Sequence, residues 1–410
     1  MTATTVFTII ISILILSFML DKILEYLNFK KFDDPVPLEL ADVYDAAEYH
    51  KSQAYNKENT RFSMWSSTFS LLLTLSFFFF GGFAFVDALA RSISENSIAI
   101  TLLFFGIILL ASDLLSTPFS YYHTFVIEEK YGFNKSSVKL FFLDKLKSWL
   151  MGILLGGGIL ALITWFYESF PNNFWWYTWI AIAIFSVFMN MFYAKLIVPI
   201  FNKQKPLEEG SLRDKIEKYA TKVGFQLNHI YVIDGSKRST KANAYFSGFG
   251  KEKRITLFDT LIDDLEEEEI VAVLAHEVGH YKKKHILVNL FFSMLLTGLT
   301  LWIFSLFISN PLLSQALGVQ KPSFHIGLVA FMVLYSPLSA ITGLVMNCIS
   351  RKFEYQADNF AKETLDSEPL ISSLKKLSKN SLSNLTPHPA YIFAHYSHPT
   401  LLERFKNLKK

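Results

Sequence analysis

Residues 276–280 read His-Glu-Val-Gly-His. Residues i and i+4 of a helix share a face, so His276 and His280 can reach one Zn2+ from consecutive turns. Glu277 lies beside them, placed to take a proton from zinc-bound water. That is hydrolytic metal chemistry. The pattern alone arises by chance in about one chain in a hundred, so its surroundings decide its weight. Asp263, Asp264 and four glutamates from Glu266 to Glu269 precede it, where a helix N-terminus favours acids. Lys282, Lys283 and Lys284 follow, which suits a local helix end or a membrane surface. Ile270, Val271, Val273 and Leu274 supply an apolar face. Val278 and Gly279, at the two inner positions, are expected to leave room beside the metal.

A catalytic zinc takes three protein ligands and keeps one position open. Residues 351–361, Arg-Lys-Phe-Glu-Tyr-Gln-Ala-Asp-Asn-Phe-Ala, are helical in pattern and set Glu354 and Asp358 at i and i+4. One carboxylate could bind zinc while the other accepts the spare N–H of a ligand histidine. Spacing alone does not separate this from a surface helix with two solvated carboxylates. His285 reads as an exposed helix-end residue, and His50, His123, His229 and His325 read as structural.

The elements that must hold these residues are unusually apolar. The chain of 410 residues is 51% hydrophobic, 16% aromatic and only 18% charged, against roughly 25% charge in an average soluble domain. Such a chain cannot keep a clean surface in water. A membrane helix needs about 20 apolar residues. Uncharged stretches of that order cover 2–20, 62–86, 96–112, 148–167, 169–194, 286–308 and 322–350, which gives seven spans. The third is the weakest, because Asp113 follows it directly. The first lacks a basic flank and reads as a retained span rather than a secretory signal.

Lysine and arginine set the orientation. Six lie in 21–61 and five in 130–147, whereas the alternate loops hold Arg91, none and Lys321. The N-terminus is therefore expected outside, with the polar regions 195–285 and 351–410 on the cytosolic side. The domain reading is 1–198 for spans one to five with their loops, 199–285 for a cytosolic metalloprotease insert, 286–350 for spans six and seven, and 351–410 for a C-terminal cytosolic segment carrying the candidate third ligand. Within the insert, 230–233 before Asp234-Gly235 reads as a strand, and 244–246 with 255–258 as a hairpin around Gly248 and Gly250. Residues 215–223 read as a short amphipathic helix.

Other classes are excluded or weakened. A net charge of +3 gives no case for nucleic acid. The single Cys348 rules out an internal disulfide and thiolate-rich metal centres, and its apolar setting reads as a small buried hydrophobe. The motif is bracketed by charges rather than embedded in an apolar run, which argues against a protease acting within the bilayer. A transporter would show ionisable residues inside its spans; here Asp113 and His325 sit only near span ends.

Beyond the zinc helix, several blocks carry a resemblance. They are Pro118-Phe119-Ser120 with 124–135, Pro199-Ile200-Phe201-Asn202-Lys203, 232–239 with Asn243-Ala244-Tyr245-Phe246, and His395-Tyr396-Ser397-His398-Pro399 with Leu401-Leu402-Glu403-Arg404. With these the chain resembles the type I CAAX prenyl proteases, integral-membrane zinc metalloproteases, over about 118–404. The resemblance implies a mainly helical polytopic fold in which seven transmembrane helices enclose a chamber, with a gluzincin-like domain holding a small sheet at the cytosolic rim. It implies one Zn2+ per chain on His276, His280 and Glu354, with Glu277 as general base and Asp358 as an outer carboxylate. It places His398 and Arg404 near the zinc, the first to stabilise an oxyanion and the second to orient Glu354. Asn243, Ala244, Tyr245 and Phe246 would hold the substrate backbone along an edge strand.

The expected activity is hydrolysis near the C-terminus of prenylated peptides or proteins by a zinc-activated water, carried out by a monomer in the bacterial inner membrane or the endoplasmic reticulum membrane. The alternative within the class is an HtpX-like quality-control protease, against which seven spans rather than about four argue. Outside the class stand a transporter and a catalytically inactive scaffold, and an intact Glu277 argues against the latter.

Overall fold

The computed structural model describes residues 1–227, 229–248 and 253–410. Gly250 of the expected hairpin loop lies outside them. Among the described residues, seven helices are long and apolar enough to cross a membrane: Ala3–Phe29, Ala46–Phe79, Ser97–Tyr131, Val138–Ser169, Phe174–Phe201, His285–Phe307 and Phe324–Thr364. The number matches the expectation; the ends do not, because charged residues continue the helices past the apolar stretches.

Two corrections follow. The apolar stretch 62–86 is not one span. Gly81 takes a left-handed conformation (φ 68°) that ends the second span at Phe79, and Gly82–Ile93 folds as a separate amphipathic helix. Asp113 does not close the third span either. It sits well inside that helix, where Lys145 Nζ (2.8 Å) and Trp149 Nε1 (2.9 Å) of the fourth helix donate to its carboxylate. A paired carboxylate is tolerable at a depth where a lone one is not.

Each span packs on the next in chain order, and the seventh returns to the first. The ring encloses a chamber it does not fill. Only 6–17% of the most apolar window of each span is buried against the rest of the protein, which leaves most of each span's surface to face lipid or the interior of the ring. Cys348 is exposed on the seventh helix rather than packed, because its face meets no neighbour; Arg351 Nη2 reaches its sulfur at 3.1 Å.

The polar insert carries a four-stranded sheet. Strands β1 (Gln204–Pro206), β2 (His229–Ile233), β3 (Ala244–Ser247) and β4 (Arg254–Phe258) lie in the order β1-β2-β4-β3. The pair β2/β4 is parallel and the two outer pairs are antiparallel. Strand β1 escaped the sequence because three residues with a lysine and a proline read as loop; proline is admissible at a sheet edge. The expected helix at 215–223 runs Ser211–Lys222.

Alternation gives the sheet two jobs. Ile230, Ile255 and Leu257 face a core with Ile270, Val271, Leu274 and Val278 of the motif helix. Ile233, Tyr245 and Phe258 face Ala194 and Val198 at the end of the fifth span. The lobe is also tied to the spans by Arg238, whose Nε and Nη2 fork onto Asp144 at 2.7 and 3.0 Å, and by Lys241 on Glu128 at 2.9 Å.

Candidate metal centre and active site

The His-Glu-Val-Gly-His segment lies on the helix Glu267–Lys282, with three glutamates in its first turn and His280 and Lys282 in its last. Glu269 turns back to accept from the Glu266 backbone N–H at 2.8 Å, fixing the helix start. The seventh-span helix Phe324–Thr364 runs on past the apolar stretch and lays Glu354 and Asp358 against the motif helix. Gly279 makes that approach possible. A Cβ there would come within 3.0 Å of Ala357 Cα and 3.1 Å of its carbonyl oxygen. Val278 is 2% exposed in the core. The two inner residues therefore serve helix packing and do not leave room beside the metal, which corrects the sequence reading.

Three side chains converge. His276 Nε2 and His280 Nε2 are 3.1 Å apart, and the Glu354 carboxylate lies 3.4 Å from the first and 3.2 Å from the second. Ligands at about 2.0–2.1 Å from a tetrahedral zinc stand about 3.3 Å from one another. Glu354 Oε2 is buried with no hydrogen-bond donor among the described residues, an arrangement that a cation satisfies. The donor set of two imidazoles and a carboxylate suits zinc.

Around this triad, each partner has a partner. His276 Nδ1 lies 2.9 Å from Asp358 Oδ1, and Asp358 is fully buried. Arg404 Nε and Nη2 grip Asp358 at 2.9 and 2.5 Å, and its Nη1 stands 3.9 Å from Glu354. Burial opposes the Arg404 charge, but Asp358 more than compensates and holds its pKa above the usual arginine range. Burial and the nearby Arg404 also oppose protonation of His276; the Asp358 and Glu354 carboxylates outweigh both, and its pKa is pushed up to about 9 without a metal. His398 is 63% exposed and its Nε2 stands 3.3 Å from Glu354 Oε1. Glu277 is half-buried on the same helix as the two histidines.

The substrate-binding candidates form the sheet edge beside the motif helix. β3 has β4 on one side only. Asn243 is exposed at its start, and its Oδ1 accepts the Ala244 N–H at 2.8 Å. Ala244 and Phe246 turn into the motif-helix core, and Tyr245 turns to the opposite face. What this edge offers a ligand is main chain.

His285 departs from the expectation. It is 2% exposed rather than solvated. Lys284 adopts a left-handed conformation (φ 61°), which ends the motif helix and aims the next one back at it. His285 Nδ1 then lies 3.0 Å from His280 Nδ1, and its Nε2 lies 2.8 Å from Gln356 Oε1. Its ring stacks on Phe353 at 4.1 Å and 8°. One proton fits between the two Nδ1 atoms. The lysine run signals the break; the redirection it produces is not legible in the sequence.

Comparison with known proteins agrees along the whole chain. A family model described as CAAX prenyl protease N-terminal, five membrane helices, matches residues 25–203, and one for peptidase family M48 matches 206–410. CAAX prenyl protease 1 of Saccharomyces cerevisiae is 36% identical, over 96% of this chain and 93% of its own length. The CAAX prenyl protease 1 homolog of Homo sapiens is 33% identical, over 91% and 88%. The crystal structure of S. mikatae Ste24p superposes with a TM-score of 0.95 at 36% identity, covering 99% of each chain.

Proposed function

The chain belongs to peptidase family M48, as a multi-pass membrane metalloendopeptidase of the CAAX type, and from that premise we propose that its metal is zinc and its substrates are prenylated peptides. The observation that carries the reading is the meeting of His276, His280 and Glu354, from the motif helix and the seventh-span helix with the sixth span between them in sequence, at the mutual distances a single zinc requires.

His276, His280 and Glu354 hold the metal. When bound, zinc supplies a water of lowered pKa and a Lewis-acid centre. Glu277 accepts the proton of the attacking water and returns it to the leaving amine. Asp358 accepts the Nδ1–H of His276 and fixes its tautomer, and Arg404 holds Asp358 and biases Glu354 toward its ionised form. His285 does for His280 what Asp358 does for His276. His398, open to solvent beside Glu354, donates to the developing oxyanion. An extended peptide adds to β3 through main-chain bonds, which gives grip with little sequence preference, and Asn243 marks its entry.

The labour divides along the four regions expected from the sequence: spans 1–198, lobe 199–285, spans 286–350 and closing segment 351–410. The lobe faces the cytosol of an endoplasmic-reticulum-type membrane and the chain works as a monomer without nucleic acid. Its lysine-poor alternate loops support the orientation, and the named relatives support the kind of membrane.

The test is peptidase activity of purified protein on farnesylated and unmodified CAAX peptides, with zinc counted in the same samples. We expect about one zinc per chain, cleavage of the lipidated peptide, and loss of about 100-fold or more of the rate with retained zinc in Glu277→Gln. Equal cleavage of both peptides would point to a general membrane-protein protease. Absence of zinc would sink the mechanism.

A further inference from the structure

The motif Pro199-Ile200-Phe201-Asn202-Lys203 has no role in the metal chemistry. It lines a cavity of about 500 Å3 between the end of the fifth span and the sheet, on the face opposite the motif helix. Four cations reach this cavity: Lys195, Lys203, Lys205 and Arg254. Lys203 and Lys205 are exposed and form no ion pair among the described residues. Asp234, the nearby carboxylate, accepts the Lys203 backbone N–H at 2.8 Å and the Asn202 amide at 3.2 Å and forms no ion pair with either lysine among the described residues.

Arg254 is the unusual member. It opens a central strand, and stepping by two to Thr256 and Phe258 places it on the span-facing side. It is 7% exposed. Its only hydrogen bond among the described residues is a long one, 3.4 Å, to the Ala194 carbonyl, and it stacks over Tyr231 at 4.9 Å. Among the described residues no carboxylate pairs with it, and a buried guanidinium so placed is costly. Three hydroxyls lie on the same face of the sheet, beyond the cavity's own lining. Tyr245, Ser247 and Thr256 present buried oxygens without hydrogen-bond partners among the described residues, and the register pairs Tyr245 with Thr256 and Ser247 with Arg254. Guanidinium and ammonium groups only donate, and with the Asn202 and Gln204 amides beside them they make the lining donor-rich, which suits an acceptor-rich anion.

Its position says which anion. The fifth-span helix ends at Leu196 and the sheet begins at Gln204, so the cavity stands where the headgroup layer borders the lobe. We propose that this cavity binds the phosphate of an anionic membrane lipid. Arg254 reads the phosphate, Lys203 and Lys205 supply the charge, and the sheet face away from the zinc is thereby seated on the leaflet.

The test uses the full chain purified in neutral detergent, with lipids per chain counted by native mass spectrometry. We expect saturable binding of phosphatidylserine at one site, with phosphatidylcholine at least tenfold weaker. In the Lys203→Ser/Lys205→Ser double variant the phosphatidylserine affinity should fall roughly 10- to 30-fold while the zinc content is unchanged. Arg254→Gln should lose the bound lipid; should it fail to fold, the lysine pair still decides. Equal binding of the two lipids, full binding by the double variant, or displacement of the lipid by equimolar inorganic phosphate would overturn the proposal, the last by showing a site for free phosphate.

Discussion

Replacing His285 by phenylalanine isolates one hydrogen bond at the proposed zinc site. Phenylalanine keeps the stack on Phe353 at 4.1 Å and removes the nitrogen 3.0 Å from His280 Nδ1. Gln356, half-exposed, turns to water without penalty. His280 keeps its Nε2 for the metal but loses the acceptor that fixes its ring and raises its basicity. Loss of such an outer partner costs 10- to 100-fold in metal affinity, or about 1.4–2.7 kcal/mol. The assay is competition for zinc against a chromophoric chelator, with thermal unfolding of the metal-free protein beside it. We expect zinc affinity to fall by that factor, metal-free stability to hold within about 0.5 kcal/mol, and activity to return when zinc is saturating. A zinc affinity within twofold of the parent would refute the role. So would a fall in metal-free stability large enough to account for the loss, since that is what packing alone predicts.

Three further outcomes follow from the same geometry. Without metal, His276 has a pKa near 9, above its unfolded value of 6.5, so its proton stabilises the metal-free fold at neutral pH and that contribution fades as pH rises through 9. Zinc must expel this proton, so zinc affinity should rise about tenfold per pH unit from 7 toward 9 and then flatten; titrations at four pH values would show it. Glu269 is buried, and Lys376 at 2.8 Å and Ser372 at 2.6 Å hold its pKa below the usual carboxylate range despite that burial. Its contribution exists above the unfolded value and is lost as pH falls through the lower folded one, so Glu269→Gln should cost about 1–2 kcal/mol at pH 7 and progressively less as the pH is taken below the unfolded value, in denaturant unfolding. Gly279→Ala should force the motif helix off Ala357, costing about 1–3 kcal/mol and weakening zinc binding with it; an unchanged melting temperature would contradict the contact.

Legibility in the sequence tracks distance along the chain. His276 and His280 declare themselves within five residues, because an i, i+4 pair has one geometry. Glu354 and Asp358 are visible as a second such pair, yet nothing local says that two helices with a whole span between them meet. Arg404 reaches Asp358 across 46 residues, and only a resemblance could nominate it. His285 lies five residues past His280, on a different face of any continuous helix; the left-handed Lys284 brings it back. The Gly81-Gly82 pair that splits the second apolar stretch is in plain view, whereas the buried pair of Asp87 and His325 at 2.7 Å spans 238 residues. Packing across such separations is a property of the ring and not of any window of sequence.

The order in which the metal ligands occur has a consequence for how the enzyme is made. A chain emerges N-terminus first and folds as it comes. His276 and His280 are synthesised before the sixth span, whereas Glu354 arrives only after the seventh has been threaded. Two imidazoles on one helix are a weak trap for zinc without the carboxylate. The proposed site therefore stays incomplete through most of synthesis, and its last contributors, His398 and Arg404, arrive only with the segment that follows the seventh span.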